Sequence, residues 1–189
     1  MNMKLFLVGC GLSLGVASSG FAATTTGTIN ATLTLTTGCL VNGQPETTNV
    51  DFGDLDFGTH AATFTTLSAT LIGSAGNGIF VNCTEDEDYN VRILSSKAAP
   101  TGETFGDVTS QPRYLLLDGG TVTGIAYTLY NDSGFSTAIA NNVDLVANGT
   151  PDATLGENYP IYGRITGGDN NPNIPIGTYT DIINVVVNY

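Results

Sequence analysis

The stretch Gly177–Tyr189, GTYTDIINVVVNY, decides the reading of the fold. Ile183, Val185, Val187 and Tyr189 recur at a period of two, with Asn184 and Asn188 opposite them among Ile182 and Val186. That alternation predicts a β-strand over Thr178–Tyr189 that runs to the last residue. An apolar strand at a sheet edge exposes unpaired N–H and C=O groups, which recruit other chains unless something covers them. Far upstream, a second alternating segment, TGTINATLTLTTG at 26–38, lies just before Cys39. A free edge at one end and a separate strand at the other predict a protein that polymerises by lending strands.

In that second segment Gly27, Ile29, Ala31, Leu33 and Leu35 form one face, and Thr28, Asn30, Thr32, Thr34 and Thr36 form the other. One side is apolar or small and the other is polar, as in a strand that augments a foreign sheet. Full burial of Ile29, Leu33 and Leu35 carries a gross gain of roughly 5–9 kcal/mol before ordering costs. The same periodicity also fits an ordinary first strand of the chain's own domain, and periodicity alone leaves both readings open.

Residues 1–22 read as a secretory signal peptide. Lys4 supplies the positive start, an apolar and small-residue run follows from Leu5 to Val16, and Gly20-Phe21-Ala22 offers a cleavage site. Leu7-Val8-Gly9-Cys10 also has the form of a lipidation box, but only five residues separate Lys4 from Cys10, which is short for the apolar region of a signal. Cleavage after Ala22 leaves 167 residues of the 189, enough for one domain with a sizeable core. No later apolar run is long enough to span a bilayer, so stable membrane insertion is not expected.

The exported chain would retain two cysteines, Cys39 and Cys83, and an oxidising compartment makes a disulfide between them the expectation. Metal binding by this pair is disfavoured, because there is no CxxC and His60 is the only histidine. The formal charge is −12, or −13 without Lys4, and the remaining basic residues Arg92, Lys97, Arg113 and Arg164 are scattered. No basic patch exists for a phosphate backbone, which argues against nucleic acid.

Short alternating runs separated by Gly and Asn clusters recur along the chain, and helical periodicity is hard to find. Strands are expected at Ile29–Thr36, Thr48–Asp56, Thr63–Leu71, Ile79–Cys83, Tyr89–Leu94, Arg113–Leu117, Gly124–Tyr130, Val143–Val146, Ile161–Ile165 and Thr178–Tyr189. Many short strands at this spacing predict an all-β sandwich in a single domain with an N-terminal extension.

Several segments in order resemble the spore coat protein U family, the subunits of archaic chaperone–usher pili. They are TTGC ending at Cys39, DFGDLDFGT at 51–59, VNCTEDEDYNVRIL at 81–94, IAYTLYND at 125–132, PIYGRI at 160–165 and the closing GTYTDIINVVVNY. The region from Ser133 to Asn158 fits least, and TEDED at 84–88 is unusually acidic. The resemblance implies an immunoglobulin-like β-sandwich lacking its final strand. In such a family a periplasmic chaperone fills the gap and an outer-membrane usher exchanges it for the next subunit's N-terminal extension. On this chain, residues 23–37 would be the donor strand, entering a neighbour through Ile29, Ala31, Leu33 and Leu35. Residues 38–189 would be the incomplete domain, with Ile183, Val185, Val187 and Tyr189 walling the acceptor groove and Cys39–Cys83 as the family's disulfide. The implied role is a structural pilin, exported through the periplasm into surface fibres for adhesion and biofilm formation, without a cofactor. Alternatives are a minor or tip subunit, a single-domain carbohydrate-binding adhesin, or a secreted coat-layer protein.

Catalytic chemistry finds little support. His60 lies in a turn-like GTHAAT stretch with no GxSxG elbow, so a loop histidine is favoured over a general base. Asp54 and Asp56 share one strand face near Asp51, yet paired acids need a cleft to act. Glu85–Asp88 and the loop around Asp169 carry oxygen ligands without EF-hand spacing. Tyr127, Tyr130, Tyr159, Tyr162 and Tyr179 have the look of a sugar-binding set, although in a sandwich such tyrosines more often serve the core.

Overall fold

The computed structural model describes residues 24–45, 48, 50–84, 88–94, 98–168 and 171–189. The chain divides after Leu35. In the first unit, residues 24–35 are exposed and have no regular secondary structure, so the strand expected at Ile29–Thr36 is not formed there. A strand is stable only when its N–H and C=O groups find a partner strand, and periodicity in the sequence does not supply one.

The described residues of the second unit form thirteen strands. They are β1 (Cys39–Val41), β2 (Asp54–Leu55), β3 (Leu67–Gly73), β4 (Gly76–Asn77), β5 (Ile79–Cys83), β6 (Asn90–Ile93) and β7 (Thr104–Phe105). The rest are β8 (Arg113–Leu117), β9 (Gly124–Tyr130), β10 (Glu157–Tyr159), β11 (Tyr162–Ile165), β12 (Tyr179–Thr180) and β13 (Val185–Asn188). One layer is a sheet in the order β12-β8-β9-β11-β3-β2, with β4 on β3 and β7 running parallel to β9. Facing it are the antiparallel sets β1-β5-β10 and β13-β6. The fold is an all-β sandwich, and no helix occurs among the described residues.

Alternation explains the packing. Along β3, Ala69 and Leu71 turn inward while Ser68 and Ile72 stay exposed. In β6 the inward pair is Val91 and Ile93, both essentially buried. Central strand β9 is buried nearly throughout, as expected for a strand covered on both faces, and contributes Ile125, Tyr127 and Leu129 to the core. Ile79 and Val81 of β5 meet them from the opposite layer. Gly163 in β11 leaves the space that Leu55 and Phe57 occupy: a Cβ there would lie 2.7 Å from the Phe57 ring. Phe57 thereby reaches the Tyr127 ring, edge to face at 5.8 Å.

Three further expected strands are corrected. Thr178–Tyr189 is not one strand but two: β12 joins β8 in one layer, and β13 joins β6 in the other. The break falls at Asp181, whose carboxylate accepts from the Tyr127 hydroxyl at 2.7 Å and from the Ile182 amide at 2.8 Å. Thr48–Asp56 is reduced to β2, because the backbone turns at Gly53 (φ 102°), where a Cβ would lie 2.2 Å from the Ile72 carbonyl oxygen. Val143–Val146 forms no ladder. Instead the Asn142 and Leu145 amides donate to the Ile93 and Val91 carbonyls, and Arg92 pairs with Asp144. Strand β5, β8 and β9 match their expected bounds, whereas β1, β4, β7 and β10 carried no alternation long enough to read.

Candidate functional site

The sandwich is open along β13. On one side β13 is hydrogen-bonded to β6, in register from Val185↔Ile93 to Asn188↔Asn90. Its other edge carries no strand among the described residues. The far edge of β6 is already occupied by the 142–145 segment, so this part of the layer can grow only from β13.

Two cavities of about 480 and 370 Å³ adjoin along that edge. Phe52, Ile183 and Val185 line both, so they form one groove in two compartments. The first compartment reaches the core itself: Leu71, Ile79, Ile93, Leu115, Tyr127 and Ile161 lie at its floor, drawn from both layers. The second is bounded by Val41 of β1, by Thr48 and Val50, and by β13 out to Tyr189. A groove floored by core residues of both layers and bordered by a strand edge has the shape to take a further strand between the layers.

Of the expected groove residues, Ile183 and Val185 line both compartments, while Val187 and Tyr189 line the second. Ile183, Val185 and Val187 are half-buried, and Tyr189 is exposed. On the expected donor, Ile29 is 97 % exposed and Leu33 and Leu35 82 % each, an unusual state for aliphatic side chains on a strand-like pattern. Ala31 is exposed as well. Cys39 and Cys83 are directly opposite in the β1–β5 pairing and form a disulfide closing 44 positions. It fastens β1, which carries the groove residue Val41, to the core strand β5.

Polar groups hold the inner end of the groove in shape. Tyr127 and Asp181 both line the first compartment. Burial pushes the Tyr127 phenol well above its ordinary range, and the neighbouring Asp181 carboxylate pushes it further. Beside them, the buried Arg113 donates through Nη2 to the Leu94 carbonyl at 3.0 Å and to the Asn141 side-chain oxygen. Burial lowers the Arg113 pKa, partly offset by Tyr127 and Asp181. This trio is not legible as a motif, because its members lie on β8, β9 and the β12–β13 break. The one available signal was that Asp181 is the sole charged residue in the closing Gly177–Tyr189 stretch.

Of the residues weighed for catalysis, Asp54 and Asp56 stand together at the edge of the first compartment, whose lining does not include His60. His60 is exposed, with its ring Nε2 at 2.6 Å from the Phe57 carbonyl oxygen. Among the described residues no group of His, Cys, Asp and Glu side chains could hold a metal ion. Glu85–Glu87 and Asp169–Asn170 lie outside the described residues. Of the tyrosines, Tyr127 is in the core, Tyr159 donates to the Tyr89 hydroxyl at 3.3 Å, and Tyr179 donates to the Pro175 carbonyl at 2.9 Å.

A family model described as the Spore Coat Protein U domain matches residues 25–186. The chain belongs to the spore coat protein U domain family. No curated protein matches it. The family is one of structural, pilus- and coat-type proteins. The match of the spore coat protein U domain covers the exposed segment from residue 25, both disulfide cysteines and β13 as far as Val186. No helix among the described residues is long and apolar enough to cross a membrane.

Proposed function

We propose that this protein is a structural pilus subunit that polymerises by strand donation, with residues 23–37 of one copy filling the groove along β13 of the next. The observation that carries this reading is the edge of β13, unpaired among the described residues, beside a groove floored by core residues of both layers. The exposed alternating aliphatics at Ile29, Leu33 and Leu35 supply the matching apolar face. Residues 1–22 would direct export, and residues 38–189 would form the incomplete immunoglobulin-like domain. Ile29, Ala31, Leu33 and Leu35 would enter the neighbour, and Ile183, Val185, Val187 and Tyr189 would receive them. Before assembly, a periplasmic chaperone would cover the same groove, and an outer-membrane usher would oversee the exchange into extracellular fibres for adhesion and biofilm formation.

The physical logic is that a closed sandwich has no place for a foreign strand, whereas an open one exposes apolar surface until it is filled. Head-to-tail strand donation is a heterologous contact and generates an open fibre rather than a closed ring. No nucleotide is needed if the last strand fills the core better than the chaperone does. Deletion of residues 23–37 is expected to abolish fibres while leaving a chaperone-bound monomer. Fibres seen by electron microscopy in cells carrying only that deletion would defeat the reading.

A further inference from the structure

On the opposite face of the large sheet, away from its core side, lies a trough of about 590 Å³ that shares with the groove only Asp54 and Asp56. Its floor follows from the strand register. Ser68, Thr70 and Ile72 are the outward residues of β3, and Thr70 pairs directly with Tyr162 of β11, which in turn pairs with Tyr130 of β9. At one end stand Asp54 and Asp56, which lie on a ridge shared with the groove; one Asp56 oxygen already accepts from the Gly58 amide at 2.7 Å. At the other end stand Ser133 and Phe135.

Phe135 is held there at a conformational cost. Its backbone is left-handed (φ 55°), a region that bulky side chains rarely adopt. The loop that imposes it is organised by Asp132, whose carbonyl accepts from the Phe135 amide at 3.1 Å. The Asp132 carboxylate accepts from the Ser136 and Thr137 amides, the latter at 2.8 Å. These amide donors also hold the Asp132 pKa below the ordinary carboxylate range. So placed, the Phe135 ring meets Tyr130 and Tyr162 edge to face at 5.4 and 6.4 Å and receives the Arg164 guanidinium 4.9 Å from its centroid.

The lining thus combines aromatic rings with acceptors and hydroxyls, and the one guanidinium beside it, that of Arg164, is stacked on the Phe135 ring. Two carboxylates accept only, while Ser68, Thr70, Ser133 and Tyr162 can both donate and accept. An apolar ring surface beside convergent polar groups is the composition of a small-ligand site. A pyranose has the complementary chemistry: an apolar C–H face for the rings and several hydroxyl donors for the carboxylates. Anionic sugars are opposed by Asp54, Asp56 and the −12 formal charge of the chain. We propose that this trough is a binding site for a neutral hexopyranose of a surface glycan, repeated once per subunit along any fibre and independent of strand donation.

The test is saturation-transfer NMR on the full-length chain, in whatever assembly it is purified. Methyl glucoside, methyl galactoside, methyl mannoside and diacetylchitobiose serve as probes, with tetramethylammonium as the cationic control. At least one sugar is expected to bind saturably. Asp54→Asn with Asp56→Asn, and separately Phe135→Ala, should each weaken it about tenfold or more, from lost charged acceptors or lost ring contact. The carboxamide pair preserves shape, so it reports even if Phe135→Ala disturbs the loop. Leu33→Asp should leave sugar binding unchanged. The proposal is overturned if no sugar binds saturably, if binding survives both sets of substitutions, or if tetramethylammonium alone occupies the trough.

Discussion

The Tyr127 hydroxyl donates to the Asp181 carboxylate at 2.7 Å, joining the middle of β9 to the point where the last stretch of chain changes layer. Tyr127 is buried and Asp181 half-buried, and both line the inner compartment of the groove. The bond therefore fixes where β12 ends and from what position β13 starts. Removing the hydroxyl in Tyr127→Phe keeps the ring and its contact with Phe57 but takes from Asp181 the donor that ties it to β9, while the Ile182 amide still donates to it. A hydrogen bond to a charged group is worth about 1.5–3 kcal/mol, so a loss of that order is expected. Urea unfolding should show a lower midpoint with an unchanged slope. An unshifted midpoint would mean the bond does not hold the break.

Alkaline pH should destabilise the protein through the same residue. The folded state binds the Tyr127 proton more tightly than the unfolded chain does, first through burial and then through Asp181. The stabilisation is complete below the ordinary tyrosine pKa of about 10 and is lost as pH rises through the higher folded value. Tyr159 and Tyr179 are also raised by burial, and add in the same direction. Unfolding midpoints are expected to be flat from pH 8 to about 9.5 and to fall above about pH 10. Tyr127→Phe should reduce that fall; an identical alkaline slope in the variant would assign the effect elsewhere.

The disulfide makes a separate prediction. Cys39 and Cys83 are cross-strand neighbours, and the loop they close spans 44 positions. Cys39→Ser with Cys83→Ser should cost about 4 kcal/mol in the chain-entropy account. Because β1 is only three residues long and carries Val41 into the groove wall, its loss should be felt first in the second compartment. Hydrogen exchange should rise at Leu40 and Val41 before it rises at Tyr127. Uniform loss of protection across all three would argue against β1 as a locally anchored wall.

Legibility in the sequence followed burial. Strands β5, β8 and β9 were readable to the residue, because each is a run of apolar and aromatic side chains bounded by turn residues. The apolar alternation of Ile183, Val185 and Val187 likewise marked the groove strand. What escaped was tertiary. Nothing local announces that Tyr127 will meet Asp181, and so the change of layer within Thr178–Tyr189 was read as continuous strand. Phe52 enters both groove compartments only because Gly53 bends the backbone against Ile72, a close approach between positions 19 residues apart. Three-residue β1 and β10 are too short to alternate visibly; they exist because β5 lies between them as a template. The trough near Phe135 depends on a loop that the Asp132 side chain organises, in the region that resembled the family least.

Strand donation predicts that the missing element can be supplied in solution. A synthetic peptide of residues 24–37 added to a chain lacking residues 23–37 should raise its melting temperature in a concentration-dependent way. At a peptide concentration a hundred times its Kd, binding to the folded state alone adds about 2.7 kcal/mol. The gain should come from Ile29, Leu33 and Leu35 leaving water against Phe52, Ile183 and Val185, so it should depend on their apolar character. A peptide carrying Leu33→Asp forces an unpaired charge against apolar walls and should give little or no shift. In the chain itself, Val185→Asp should abolish the response to the unaltered peptide, since Val185 lines both compartments. Equal shifts from the unaltered and Leu33→Asp peptides would show that residue 33 does not face the groove. No shift from either would remove the support for strand donation altogether.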